Sequence, residues 1–196
     1  MFPFLTIFII FLIILTYYIK KGNAAQSKVQ EEFWEKERKS NAVRKQDISK
    51  LDYITIPLEK IPQQLHTATE EAFGALAQKT MVNLTGISNT DLKLQYGTAN
   101  LAVLSEYDAN FTEMVSLLPE YTTELIEAGQ ETAARDLLEF AVSCNADSRK
   151  IYSQLASIYK SHNEVDKLKK LMEASEALPE LTKRAVQKEL SEFTEG

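Results

Sequence analysis

The sequence predicts an all-α protein in which one N-terminal transmembrane helix precedes an array of antiparallel helix pairs. Three observations indicate this fold class. Residues 2–19 carry no charge, apolar residues after Pro62 recur at three- and four-residue steps, and a pattern of large and small residues repeats after 34 positions. We divide the chain into an anchor (1–21), a charged juxtamembrane helix with an extended strap (22–62), and a helical domain (63–196).

The composition bears on the classes of partner. The formal net charge of −6 argues against nucleic acid, because phosphate binding requires clustered Lys and Arg. Cys144 is the only cysteine, so no internal disulfide can form. A lone thiol fits a reducing compartment, and we expect Cys144 to pack as a small apolar side chain.

Residues 2–19 are long enough to approach the ~30 Å hydrocarbon core of a bilayer. Tyr17 and Tyr18 fall where an aromatic interface belt would lie. The main alternative is a cleaved signal peptide, which needs a basic segment before the apolar run and small residues at the cleavage site. The sequence has no such basic segment and only a poor cleavage match at 23–25, so it favours an uncleaved anchor.

The lysines around the anchor predict its orientation. Lys20, Lys21 and Lys28 follow the apolar run, whereas only the α-amino group precedes it. The positive-inside rule then places the N-terminus outside and the rest of the chain in the cytoplasm, as a single-pass protein of the cell membrane.

Residues 26–48 carry many charges of both signs, spaced for pairing along a helix, as in Glu32 with Lys36. We interpret this segment as a solvated stalk helix. The alternative is an interfacial segment in which Trp34 enters the lipid headgroups and nearby Arg and Lys residues meet anionic lipid.

Residues 51–62 change character, because the β-forming residues 53–56 precede Pro57, and Pro57 and Pro62 forbid a continuous helix. No partner strand is evident elsewhere. We therefore predict an extended strap that packs on the helical domain, in preference to a strand offered to another protein.

The helical domain begins with an amphipathic helix predicted over about 63–82. Residues 83–101 then form a helix–turn–helix junction. Val82 and Leu84 would end the first helix with Gly86 as a left-handed stop, and Ser88 or Asn89 would cap the second helix, which would contain Gly97. A glycine inside a helix marks either close helix packing or a contact with a partner.

The 34-residue echo is the most informative pattern in the domain. Ala134, Leu138 and Ala141 follow a turn at Gly129, and adding 34 gives Leu168, Met172 and Ser175 after Asn163. The preceding helices match as well: Leu118, Tyr121 and Leu125 correspond to Tyr152, Leu155 and Tyr159. Two helices in 34 residues are typical of a tetratricopeptide repeat, so we predict a tetratricopeptide-like array closed by a polar-backed terminal helix at 178–193. An ordinary helical bundle is the alternative.

No pattern of catalytic or metal-binding residues is present. His66, His162 and Cys144 lack metal-ligand spacing, and no phosphate-binding loop, dinucleotide fingerprint or nucleophile elbow occurs. Asn83 and Asn110 begin glycosylation sequons, but both would be cytoplasmic. We predict no enzyme activity, cofactor, metal or small-molecule substrate.

Three sequence runs carry a resemblance to known proteins: Glu-Arg-Lys-Ser-Asn at 37–41, Leu-Asp-Tyr-Ile at 51–54, and Asn-Thr-Asp-Leu-Lys-Leu at 89–94. From about Phe33 to Leu178 the chain resembles a group of small membrane-anchored proteins of Firmicutes bacteria, whose cytoplasmic parts look tetratricopeptide-like. The resemblance implies architecture and compartment, and it brings no catalytic residue.

Together these observations predict a membrane-tethered cytoplasmic adaptor that binds a protein or peptide in a groove between helix pairs. The candidate partner-binding residues are Tyr121, Glu124, Tyr152 and Gly97, although Tyr152 equally suits a core position. The alternative is a structural subunit of a membrane complex, held there by its transmembrane helix.

Overall fold

The computed structural model describes residues 2–62 and 64–195, and within these ranges the protein is all-α, as predicted. Apart from three short 3₁₀ helices, the regular elements are α1 (Phe2–Asn41), α2 (Ala68–Leu76), α3 (Asn89–Tyr96), α4 (Leu101–Glu127), α5 (Glu131–Ser143), α6 (Arg149–Ser161), α7 (Val165–Ala174) and α8 (Glu180–Glu195).

The helices group into two compact units. The first contains Met1–Asp47 and Ser88–Leu101, and the second contains Ile48–Ile87 and Ala102–Gly196. This grouping rests on contacts, whereas the predicted division rests on composition and stays a prediction. The contacts place the strap and the helix pairs in one unit, and α3 in the same unit as α1.

In the first unit, α1 is one unbroken helix of 40 residues. It is long and apolar enough to cross a membrane, and its large apolar side chains from Phe4 to Ile19 are exposed. The helix continues through the charged run, so the prediction that this segment is helical is confirmed as far as Asn41, and residues 43–48 are not helical. Its role as a stalk, rather than an interfacial segment, stays a prediction.

Charged contacts hold α3 against the end of α1. Lys36 pairs with Asp91 at 2.7 Å, while Glu37 pairs with Lys93 and accepts a hydrogen bond from Thr90 at 2.8 Å. The predicted cap of α3 is also confirmed, because the Ser88 hydroxyl accepts the backbone N–H of Asp91 at 3.2 Å.

The prediction that Gly97 lies inside a helix is wrong. Gly97 follows the last residue of α3 and has φ +82° and ψ 152°, a conformation that L side chains rarely adopt. The irregular segment after α1 approaches closely here. Gln46 N–H donates to the Tyr96 carbonyl at 3.0 Å, and the Asn100 side-chain amide donates to the Gln46 carbonyl at 2.8 Å. Gly97 therefore permits tight backbone packing.

The second unit begins with the strap. Ile54 forms an isolated antiparallel bridge with Met81, so the expectation that the extended segment lacks a partner is wrong at this one position. Ile56 and Ile61 are buried in the core, as the strap prediction requires.

The first helix of this unit is shorter than the predicted 63–82. Thr67 caps it by accepting the Glu70 N–H at 3.1 Å, and it ends at Leu76. Val82 and Leu84 consequently lie in an irregular buried segment rather than at a helix end. Gly86 does have the expected positive φ, at +84°.

The two turns that join α4 to α5 and α6 to α7 share one geometry. Gln130 N–H donates to Leu125 at 2.8 Å, and 34 residues later Glu164 N–H donates to Tyr159 at 2.8 Å. Gly129 and Asn163, also 34 apart, both have positive φ, at +75° and +56°. The 34-residue period thus exists in the backbone, while membership of the tetratricopeptide class stays a prediction.

Candidate interaction site

A surface cleft of about 470 Å³ crosses α4, α6 and α8 in the second unit. We call it the three-helix cleft. Its walls carry hydroxyl, amide and charged groups of both signs: Ser116, Pro119, Glu120, Thr123, Arg149, Lys150, Ser153, Gln154 and Glu189. Such a surface suits a polar ligand that offers both hydrogen-bond donors and acceptors.

The 34-residue period explains why these residues meet. Ser116 and Lys150 are one period apart, as are Pro119 and Ser153, and Glu120 and Gln154. Equivalent positions of successive helix pairs face the same way in a stacked array. The repeat therefore builds one continuous wall from α4 and α6.

Gln154 fastens these two helices at the base of the cleft. Its amide group donates to the Pro119 carbonyl and to the Thr123 hydroxyl, both at 2.9 Å, while its carbonyl accepts from Thr122 at 3.1 Å. All three partners lie on α4. A single side chain thus bridges α4 and α6 with three hydrogen bonds.

Pro119 lies inside α4 and has no backbone N–H. The carbonyl of residue 115 consequently lacks its usual helical donor. Pro119's own carbonyl is used by Gln154 and, at 2.8 Å, by the Thr123 hydroxyl. The break in helical bonding therefore lies next to the cleft, while Pro119 itself lines it.

The charges of the cleft are not arranged for helix stability. Arg149 and Lys150 occupy the first turn of α6, which contains no acidic residue, and cations at a helix N-terminus oppose its dipole. Arg149 is compensated by Glu189 at 3.2 Å. Lys150 and Glu120 form no ion pair among the described residues, so both remain available to a ligand.

The predicted residues Tyr121 and Glu124 lie on another side of α4. Tyr121 is only 1% exposed, its ring lies 5.0 Å from that of Phe73, and its hydroxyl donates to Glu70 at 3.4 Å. Burial, together with the charges of Glu70 and Glu124, raises the pKa of Tyr121 to about 12. The Glu124 carboxylate accepts the hydroxyls of Thr67 at 2.7 Å and Thr69 at 2.9 Å.

Tyr152 and Gly97 are placed elsewhere. Tyr152 is 1% exposed, and its hydroxyl has no hydrogen-bond partner in the part of the chain that the structure describes. Burial and the nearby charge of Asp147 raise the pKa of Tyr152 to about 12. Gly97 lies in the first unit. None of the four predicted residues lines the three-helix cleft, and their contact with a partner stays a prediction.

Sequence reasoning missed Glu120, Lys150, Ser153 and Gln154. The signal was present, because the same 34-residue step that relates the apolar residues also relates the polar ones. A repeat defined by its large and small apolar residues does not include these polar positions.

A second polar cluster joins α5, α6 and α7, but its charged groups are paired with one another rather than left for a ligand. Arg135 bonds Glu139 and Glu164, each at 3.0 Å, and lies 5.4 Å from the centre of the Tyr159 ring. The Tyr159 hydroxyl donates to Glu139 at 2.9 Å. Lys167 pairs with Glu164 at 3.2 Å and supplies the second positive charge. With its charges mutually compensated, this cluster holds helices together.

Groups of His, Cys, Asp and Glu arranged to hold a metal ion are not found within residues 2–62 and 64–195. The chain matches no protein-family model, and comparisons with curated proteins and with solved structures also give no match.

Proposed function

We propose that the protein is a membrane-tethered cytoplasmic adaptor that holds a segment of another protein in the three-helix cleft. Its partners are the lipid bilayer and this protein segment, and the role requires neither a reaction nor a cofactor. The observation that carries the proposal is the cleft itself, in which one repeat-built wall presents an uncompensated lysine, an uncompensated glutamate and several hydroxyl groups.

The tether is α1. Its uncharged run of residues 2–19 matches a bilayer in length, and the lysines that follow favour the cytoplasmic side for everything after it. A C-terminal reporter that is active only outside the cytoplasm tests this orientation. We expect no reporter activity, and activity would reverse the topology.

The chemistry of the cleft favours an extended peptide over an amphipathic helix that binds through its apolar face. The main-chain amides and carbonyls of an extended peptide match the hydroxyl and charged groups of the lining. Among the lining residues of the cleft only Pro119 is apolar, so the lining has no large apolar side chain to anchor an amphipathic helix. Lys150 and Glu120 then select side chains of opposite charge.

The test is residue-specific photocrosslinking in native membranes. A photoreactive amino acid at Ser153 is expected to give discrete adducts, and the same group at Asp166, on exposed α7, should give none. The change Lys150→Glu should weaken the Ser153 adducts at unchanged protein level. Adducts that are equal at both positions, or indifferent to Lys150→Glu, would contradict the proposal.

A second candidate is a structural subunit of a membrane complex, held through α1. It is favoured by three exposed apolar residues beyond the uncharged run: Val29, Phe33 and Trp34. Replacing residues 2–19 by an unrelated span separates the two functions. The adaptor keeps its Ser153 adducts after the replacement. A subunit held through α1 crosslinks from Phe33 in the unaltered chain and loses these adducts after the replacement.

A further inference from the structure

Residues 64–76, which we call the latch, occupy the side of α4 that carries Tyr121 and Glu124. The polar half of this contact consists of two carboxylates held by hydroxyl and backbone donors. Glu124 accepts from Thr67 and Thr69 of the latch, while Glu70 of the latch accepts from Tyr121. The side of α4 that the sequence assigns to a partner is thus filled by the chain itself.

The Glu70 carboxylate also organises the latch internally. It accepts the backbone N–H of residue 64 at 3.1 Å and of His66 at 2.9 Å. His66 has a positive φ of +53°, which bends the chain toward this carboxylate. The Glu70 side chain therefore both shapes the latch and contacts α4. We expect the internal structure of the latch and its contact with α4 to form and break together.

The apolar half of the contact is small. Within α2 only Phe73 and Leu76 are buried, and Phe73 packs on the Tyr121 ring. A nine-residue helix is too short to persist alone in water, so α2 exists as a helix only while it is docked. Few buried side chains and a short helix are the features of a segment that opens below the global unfolding free energy.

The latch and the cleft share one stretch of α4. Tyr121 and Glu124 contact the latch, and Glu120 and Thr123 line the cleft. Thr122 and Thr123 are in turn fastened to α6 by Gln154. Pro119 removes one helical hydrogen bond just before these residues, which weakens the connection of the last two turns of α4 to the rest of the helix.

We propose that the latch is a built-in occupant of α4 which opens as a unit, and that its opening changes the width of the three-helix cleft. A change in cleft width would regulate the binding of a protein segment there, and this regulation rests on the proposed adaptor function. The opening and the change in width do not, and both are measurable without any partner.

The first experiment is hydrogen exchange, read by mass spectrometry, on the full chain in lipid nanodiscs. We expect α2 amides to exchange at least about 10-fold faster than those of α5 and α6. Thr69→Val removes one hydroxyl from Glu124 without touching the Thr67 cap, and should speed α2 exchange by about 10-fold while leaving α6 unchanged. Thr85→Val, at an exposed threonine outside the latch, is the matched control.

The second experiment measures the cleft. Spin labels are attached to Glu120→Cys and Lys150→Cys in a Cys144→Ser background, and their separation is recorded by pulsed electron resonance. Thr69→Val should shift or broaden the distance distribution, and Thr85→Val should not.

Two results would overturn the proposal. One is that the α2 amides of the wild-type chain exchange at the rate of those in α5 and α6. The other is that Thr69→Val leaves the distribution of distances between the two spin labels unchanged. The first needs no variant, so a misfolded variant cannot obscure it. Failure of the adaptor function would show separately, as absent Ser153 adducts with both of these measurements intact.

Discussion

A Cβ atom at Gly97 would stand 2.3 Å from the carbonyl oxygen of Arg44 and 2.7 Å from its carbonyl carbon. The obstacle is backbone, which cannot rotate away as a side chain can. The positive φ of Gly97 adds conformational strain to this clash for any other residue. Gly97 is therefore the position where the first unit tolerates no side chain.

Gly97→Ala should destabilise the first unit by about 2 kcal/mol or more, through the clash and the strained backbone. Hydrogen exchange of residues 89–97 measures the loss. Gly74→Ala is the control, since a Cβ there meets nothing within 4 Å and replaces a helical glycine. It should be neutral or stabilising by up to about 1 kcal/mol. Equal behaviour of the two variants would contradict the packing role of Gly97.

Acid should weaken the contact between α1 and α3. Lys93 and Thr90 hold the pKa of Glu37 below its usual 4.5, and Lys36 and Ser88 hold the pKa of Asp91 below its usual 3.8. Because both pKa values are lower in the folded state, the stabilisation is complete above the usual values and is lost as the pH falls through the lowered ones.

An NMR titration of the α3 amides from about pH 6 to about pH 3 measures this loss. The change Glu37→Gln should remove much of the pH dependence, and Glu106→Gln, outside this contact, should leave it intact. A titration curve that Glu37→Gln does not alter would refute the assignment.

Gln154→Ala should cost about 1–2 kcal/mol, because it removes the bonds to Pro119, Thr122 and Thr123. After the substitution the single proton of the Thr122 hydroxyl is donated to the Leu118 carbonyl alone, which lies at 2.9 Å, and this limits the cost. Urea unfolding gives the difference in free energy, with Ser157→Ala on the exposed side of α6 as control. A cost no larger than that of the control would mean that Gln154 does not fasten the helices.

The two equivalent turns should respond to substitution in parallel. Asn163→Ala and Gly129→Ala each place an alanine in the left-handed region, and each should cost about 1 kcal/mol. Asn163→Gly should be close to neutral because glycine accepts this conformation freely. Urea unfolding of the three variants tests the parallel. A costly Asn163→Gly would show that the asparagine side chain matters more than the backbone conformation.

Trp34, the only tryptophan of the chain, lies 15 residues beyond Ile19 in an unbroken helix, which is about 22 Å along the axis. With residues 2–19 across a bilayer, we expect brominated lipids to quench its fluorescence weakly, and Phe33→Trp with Trp34→Phe to behave alike. A tryptophan moved to Tyr18 is the quenched control. Strong quenching of Trp34 would support the interfacial alternative.

Local rules predicted local features well. The Ser88 cap, the positive φ of Gly86 and the burial of Ile56 and Ile61 follow from propensity, capping and apolar pattern, which act within a few residues. The 34-residue step anticipated the matching turns at Gly129 and Asn163.

Features that depend on distant residues were missed. Gly97 was placed inside a helix because the segment that passes over it lies more than 50 positions earlier in the chain, at Arg44. Tyr121 and Glu124 suited a groove by their positions on a helix, but only the folded structure shows that Thr67, Thr69 and Phe73 already contact them. The cleft required three helices to be placed together.

Because α1 is unbroken, the directions of side chains at its two ends are fixed relative to each other. Each residue of an α-helix turns the chain by about 100° and advances it by about 1.5 Å. The number of residues between the uncharged run and Lys36 and Glu37 therefore sets the direction in which these two side chains meet α3. Deleting one residue between the two stretches would swing that face by more than a quarter turn while shortening the helix very little. If the uncharged run crosses a bilayer as proposed, the direction in which the Lys36 and Glu37 side chains face is therefore tied to the rotational orientation of that run.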